Sequence, residues 1–231
     1  MTKPPTITKP SRIRNVLFDL DGTLTDPREG ITRCLQYALE KLSAEVPSQS
    51  ALEAYIGPPL RSTFKALLAA PDAARVEAAV GFYRERFTLA GLFENELYAG
   101  VPLMLEDLRG AGFRLFVATS KAAVFAEKII AHFRLSQFFD GVYGATLDGR
   151  YDDKADLLRH LLAAEALKAS ETVMVGDREH DIIAARHNRI HALGVTYGYG
   201  SRAELTAAGA AWLCDSPGDI NAALLAAMTD S

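Results

Sequence analysis

The chain is 231 residues long, with 49% hydrophobic and 23% charged side chains, an ordinary globular composition with enough length to bury a core in one large domain or two smaller ones. Its formal net charge of -4 supplies no basic field for nucleic acid or an anionic membrane, so an anionic ligand needs a local basic pocket. The two cysteines, Cys34 and Cys214, stand far apart without a Cys or His at metal spacing, which argues against a disulfide scaffold or a zinc site and for the reducing cytoplasm.

Residues 1–13 are rich in Thr, Pro and Lys/Arg. They lack the apolar centre and cleavage site of a secretory signal and predict a loose tail. Charges interrupt every Ala/Leu-rich segment before the roughly 20 residues that span a bilayer, so a soluble protein is expected. Asn15 to Leu20 is a short apolar run that predicts a buried strand, delivering the polar loop Asp19-Leu-Asp-Gly-Thr-Leu-Thr-Asp26. From Glu29 to Ser43, Ile31, Leu35, Leu39 and Leu42 recur at helical spacing, and helical pieces continue to Gly91, broken at Gly57-Pro58-Pro59 and Pro71. No strand is expected between Thr25 and Glu96.

After Gly100 the pattern alternates. Helices are predicted over 101–111, 122–133, 154–166, 181–188 and 201–208, and strands over 114–119, 141–143, 172–176, 191–195 and 212–214, with a last helix after Pro217. Such alternation implies an α/β fold, a Rossmann-like doubly wound parallel sheet whose ligands bind beyond the strand C-termini. The helical stretch 25–96 interrupts this pattern. It is read as an inserted α-helical cap domain over a core made of 14–24 and 97–231.

Asp19 and Asp21 are two carboxylates one residue apart at the end of a buried strand, followed by Gly22 and Thr23. A turn alone does not need that pair. A sharp loop after Leu20 can bring both toward one pocket, where one attacks phosphorus and the other handles a proton. Taken singly, Lys154 fits a solvated lysine at a helix start, Thr119 an N-cap, and Asp177 and Asp181 caps of the following helix. Their spacing relative to the Asp pair gives them a different weight.

At these residues the sequence resembles the haloacid dehalogenase (HAD) superfamily, whose first motif stands here as Asp19-Leu20-Asp21-Gly22-Thr23. Phe116-Val-Ala-Thr119-Ser120 is similar to the second motif, Lys154 to the third, and Gly176-Asp177-Arg-Glu-His-Asp181 to the fourth. The resemblance implies a phosphatase with Asp19 as nucleophile, Asp21 as general acid and base, and Thr119 and Lys154 holding phosphate. It further implies a Mg2+ site drawn from Asp19, Asp21, Asp177 and Asp181, with Asp181 supporting it through hydrogen bonds, and phosphate contacts from Gly22, Thr23 and Ser120. A cation beside a carboxylate nucleophile neutralises the repulsion of an incoming dianion, and magnesium suits such an oxygen-rich site. Asp21 favours a phosphate ester over a haloacid or phosphonate, because an alkoxide leaving group needs a proton.

The helical insert is similar to the caps of phosphoglycolate phosphatase-like and 5′-nucleotidase-like members, which implies a small phosphorylated metabolite as substrate. Arg61, after the Gly57-Pro58-Pro59 turn and equally explicable as a surface arginine, is a candidate for its distal end, and Lys121, next to the second motif, is another. A phosphoglycolate-like ester is the leading substrate. A nucleoside monophosphate, and a sugar phosphate in a phosphomutase reaction, are the alternatives. A monomer or homodimer is expected. His180 and His187 are set aside as helix-surface residues, Phe138 and Phe139 as core, and the Tyr197 to Gly200 segment as a tight loop that either borders the site or only packs.

Overall fold

The computed structural model describes residues 13–69 and 71–229. The tail expected over 1–13 falls outside them except for Ile13, which is buried.

The six-stranded sheet is entirely parallel and built from β1 (Asn15–Phe18), β4 (Arg114–Ala122), β5 (Gly141–Ala145), β6 (Thr172–Gly176), β7 (His191–Val195) and β8 (Trp212–Cys214). Its spatial order is β5-β4-β1-β6-β7-β8. The chain winds outward from β1 through β4 and β5, then returns to lay β6 against the other side of β1. That reversal opens a crevice beyond the C-terminal ends of β1 and β6, where a doubly wound sheet binds its ligands. The sheet strands are joined by α5 (Val101–Gly110), α6 (Ala123–His132), α7 (Lys154–Ala164), α8 (Glu179–His187) and α9 (Arg202–Ala208), and α10 (Pro217–Thr229) ends the described chain.

Side chains leave the central strands alternately toward two cores. Val16, Phe18, Leu115, Val117, Val173 and Val175 belong to one cluster; Leu17, Phe116, Ala118 and Met174 belong to the other. Because helices cover both faces, β1 is apolar at Val16, Leu17 and Phe18 and buried throughout. Asn15 is satisfied by hydrogen bonds from its amide to Glu171 O and Thr172 Oγ1.

The insert consists of α1 (Arg28–Lys41), the short α2 (Gln49–Leu52), α3 (Leu60–Leu67) and α4 (Ala73–Arg86), with a π turn at Phe87–Gly91. Ile31, Cys34, Leu35, Ala38 and Leu39 put one buried face of α1 against α4. Asp72 caps α4 by accepting from Arg75 N at 2.7 Å. The first hydrophobic cluster runs unbroken from the sheet into these helices, through Leu20 and Leu24 to Phe64, Tyr83 and Phe87.

Where the chain leaves and re-enters the sheet domain, the structure differs from the expectation of no strand. β2 (Thr25–Asp26) pairs antiparallel with β3 (Glu96–Leu97), and Tyr98 N donates to Leu24 O at 3.2 Å. Two residues are too few to leave a periodic signature, and their partners are some seventy positions away. The strand expected at 114–119 extends to Ala122, with a register shift between Thr119 and Ala122. None of the helices among the described residues is long and apolar enough to cross a membrane.

Phe18 is fully buried and meets Phe139 edge to face at 6.4 Å. Phe18→Ala is expected to cost about 3–5 kcal/mol of unfolding free energy, read as a lower urea midpoint at unchanged m-value.

Candidate active site

Asp19 is the first residue past β1, and its N–H continues the ladder to Val175 O at 2.9 Å. Asp177 leaves β6, the neighbouring strand. These two carboxylates and that of Asp181, in the first turn of α8, each offer an oxygen within 4.8 Å of the others. All three residues are at most 3% exposed. Such a concentration of negative charge in a low-dielectric crevice requires a counter-charge. Lys154 provides one: its ammonium lies 3.0 Å from Asp19 Oδ1 and pairs with Asp181. Asp153 caps α7 by accepting from Ala155 N at 2.7 Å, which fixes the helix start and turns Lys154 inward.

The remaining oxygens are only partly satisfied. Asp177 accepts from Tyr199 N at 2.8 Å and from Thr23 Oγ1 at 3.4 Å, and Asp181 accepts from Arg178 N at 3.1 Å. Asp19 Oδ1 has the ion pair to Lys154 but no well-directed hydrogen bond. Burial pushes the Asp177 carboxyl well above the usual range, and Asp181 and Asp19 push it further. Burial also raises Asp181, against the opposing Lys154 charge. Lys154 itself is disfavoured as an ammonium by burial, yet Asp181 and Asp19 outweigh that and hold its pKa above the ordinary lysine value. Three buried carboxylates against one ammonium leave a site that fits a hard divalent cation.

The loop after Leu20 is tight: Leu24 N and Thr25 N both donate to Leu20 O, at 2.9 and 3.0 Å, and Gly22 N donates to Thr25 O at 2.8 Å. Gly22 takes φ +81°, and a methyl there would overlap the Asp177 carboxylate. This turn aims Asp21 away from the three carboxylates. Asp21 Oδ2 pairs with Lys121 Nζ at 2.9 Å, while Asp21 Oδ1 is buried without a hydrogen bond. Burial raises the Asp21 carboxyl above the usual carboxylate value, opposed by Lys121.

Asp19 and Asp21 face a partly open cavity of about 80 Å³, walled on the sheet side by Thr119, Ser120 and Lys121 and on the insert side by Tyr55, Tyr83 and Phe87. The β4 register shift falls at these sheet-side residues, next to Gly144, where a Cβ would overlap the Lys121 carbonyl. Lys121 Nζ also lies 4.5 Å above the centre of the Phe87 ring, a cation–π contact from the sheet domain to the insert.

The structure thus gathers Asp19, Asp177, Asp181 and Lys154, and lines the cavity with Asp19, Asp21, Thr119, Ser120, Lys121 and Arg61. The Asp21 carboxylate is outside the three-carboxylate cluster. Gly22 and Thr23 lie beneath Asp177 and not on the cavity wall. Arg61 is engaged: Nε and Nη2 grip Glu77 at 2.6 and 3.0 Å, and Nη1 and Nη2 reach Asp152 at 3.4 Å and Leu147 O at 3.2 Å. The Tyr197 to Gly200 loop does border the site. Any side chain at Gly198 or Gly200 would collide with Asp177, and Tyr197 Oη donates to Thr23 O at 2.9 Å. Its glycines were the available signal. Arg84 and Asp152, also on the cavity wall, carried none.

Comparison with known proteins agrees with this geometry. Residues 16–195 match the family of haloacid dehalogenase-like hydrolases, and the chain belongs to that family. It is 50% identical to a 5′-nucleotidase of Pseudomonas aeruginosa over 85% of this chain and 88% of that protein. It is 27% identical to a phosphoglycolate phosphatase of Vibrio parahaemolyticus over 88% of this chain and 92% of the relative. The crystal structure of a predicted phosphatase from Clostridium acetobutylicum superposes with a TM-score of 0.91 at 40% identity, covering 94% of this chain and all of that one. The protein is an enzyme, a phosphoric monoester hydrolase of the HAD type.

Carboxylates raised above their unfolded values take up protons on folding, so without a cation stability falls as pH rises through that range. A divalent cation reverses this by replacing the protons. Adding millimolar Mg2+ is expected to raise the melting temperature by several degrees at pH 7.5 and by much less at pH 5. Equal increments at both pH values would show that the cation binds elsewhere.

Proposed function

We propose that this HAD-family hydrolase is a Mg2+-dependent phosphatase that cleaves a small phosphate monoester through an aspartyl-phosphate on Asp19. The observation that carries the reading is the placement of the buried Asp19 carboxylate between a carboxylate cluster on one side and the cavity holding Asp21 on the other. Asp19, Asp177 and Asp181 form the donor set for magnesium, Asp181 through its hydrogen bonds to Lys154 and Arg178 N. Bound there, the cation supplies the charge neutralisation that lets a carboxylate approach a phosphate dianion.

The residues then divide the work. An Asp19 oxygen attacks phosphorus as the ester P–O bond breaks, and the departing alkoxide takes a proton from Asp21. The Asp21 carboxylate next accepts a proton from water, whose oxygen attacks the acyl phosphate. Inorganic phosphate leaves, and Asp19 regains its carboxylate. A carboxyl raised by burial above the usual carboxylate value suits a group that must both give and take a proton. Lys154 and the Thr119 hydroxyl hold phosphoryl oxygens from the sheet side, and the apolar rings on the insert side limit the water that reaches the reacting atoms.

A phosphoglycolate-like substrate is favoured by the small cavity with Lys121 at its edge. A nucleoside monophosphate is favoured by the 50% identical Pseudomonas relative and by the rings of Tyr55, Tyr83, Phe87 and Phe125 on the cavity wall, which can stack on a base. We place the activity in the cytoplasm, consistent with two buried free cysteines, on a small metabolite with neither nucleic acid nor membrane as partner, the enzyme acting as a monomer or homodimer.

The deciding measurement is phosphate release with Mg2+ from phosphoglycolate, nucleoside monophosphates, sugar phosphates and phosphotyrosine. Turnover is expected to vanish in excess EDTA, and Asp19→Asn to lower kcat by about 10⁴-fold or more while the variant stays folded. Full activity in EDTA, or an active Asp19→Asn, contradicts the mechanism.

A further inference from the structure

One cation on the cavity wall stands without a bonded partner among the described residues. Arg84, in the last turn of α4, lines the cavity beside Tyr83 and Phe87 and is half-buried. Among the described residues its guanidinium takes no hydrogen bond and no ion pair within 4 Å. The other cations at the cavity are occupied. Lys121 is held by Asp21, and Arg61 is clamped by Glu77, Asp152 and Leu147 O. Glu77 and Asp152 are the carboxylates whose charge reaches Arg84, and Arg61 already binds both. Burial lowers the Arg84 pKa, and the neighbouring Arg61 charge adds to the effect.

A guanidinium partly withdrawn from water and left unpaired is a vacancy for a planar anion, since its fork of donors matches a carboxylate in two parallel hydrogen bonds. The phosphate has its own cation in Lys154, 3.0 Å from Asp19 Oδ1. We propose that Arg84 receives a second anionic group of the substrate, a carboxylate distal to the phosphate, making phosphorylated hydroxy acids the preferred substrate class. This rests on the phosphatase reading and adds the residue that sets its specificity. A cavity of about 80 Å³, the space of a few water molecules, suits a short body between the two anions. Arg61, the sequence-based candidate for this role, instead ties the insert to the 147–152 loop.

The test compares 2-phosphoglycolate and 3-phosphoglycerate with ethyl phosphate, which lacks the carboxylate, in wild type, Arg84→Gln and Arg84→Lys. The wild type is expected to favour a carboxylated ester by about 100-fold in kcat/KM, with that ratio falling to near unity in Arg84→Gln and partly recovered in Arg84→Lys. The same ligands are titrated calorimetrically against Asp19→Asn and Asp19→Asn/Arg84→Gln, with folding checked by circular dichroism. There, Arg84→Gln is expected to weaken the carboxylated ligand at least tenfold more than ethyl phosphate. An unchanged ratio in both assays overturns the assignment. So does a selective loss of nucleoside monophosphate turnover, which would mean that the guanidinium reads a base. If the wild type hydrolyses none of these esters, the phosphatase reading falls, and the binding titration alone decides whether Arg84 holds a carboxylate.

Discussion

Four buried ionisable groups at the mouth of one crevice set the terms for the rest of this protein. Asp19, Asp177 and Asp181 crowd their oxygens together out of water, with Lys154 as the counter-charge among the described side chains. Removing such charges from solvent costs more than one ion pair returns, so the arrangement persists only if the surrounding fold compels it. Each carboxylate is accordingly held by regular structure. Asp19 is anchored by the β1–β6 ladder, Asp181 by the first turn of α8, and Asp177 by a loop whose glycines let the backbone N–H of Tyr199 reach it. A divalent cation bound there would offset the residual negative charge and so couple ligand binding to fold stability.

The helical insert makes the second half of the site, and two arginines strap it across the crevice. From the sheet side, Arg178 bonds Glu204 at 2.9 Å through Nε and donates to Ile56 O at 2.7 Å through Nη1. From the insert, Arg61 reaches Asp152 and Leu147 O. Both straps grip the ends of the same rigid turn, Gly57-Pro58-Pro59, and Gly57 at φ +105° leaves room for the Arg178 stem. The chain crosses between the two parts only through the β2–β3 ribbon. The cavity is therefore closed by polar contacts at its rim and by apolar packing deeper in, where Phe87 meets Tyr83 and Phe125. Charge-assisted bonds to Asp152 and to the carbonyls of Ile56 and Leu147 at a partly exposed rim are the weaker part of that closure, so the rim is where opening is least costly.

Much of the sheet-side half of the candidate site was legible from residue order alone. A parallel strand announces itself as a short apolar run, and the residue that follows it is placed at the ligand-binding edge by the topology. Hence Asp19 and Asp177 could be located from Asn15–Phe18 and Thr172–Gly176, and Lys154 from the start of its helix. The reading of Tyr197 to Gly200 stayed open because two glycines in a loop fit a turn as readily as a close approach; only the proximity of Gly22 O and Asp177 distinguishes them. The β2–β3 ribbon was missed because two-residue strands carry no periodicity.

The sequence by itself determined the strands of the parallel sheet, the helices around them and the acidic loop after β1, since hydrophobic period, helix caps and the Asp-x-Asp loop are local properties. Only the tertiary structure decided which charges meet. Lys121 and Asp21 are a hundred positions apart, and Arg61 finds Asp152 across the crevice. Arg61 and Arg84 are equivalent letters in the insert, yet folding surrounds one with carboxylates and leaves the other on the cavity wall without an ion pair among the described residues. Charge pairing over such separations is set by packing and burial, which sum contributions from the whole chain, and no window of residues contains that sum.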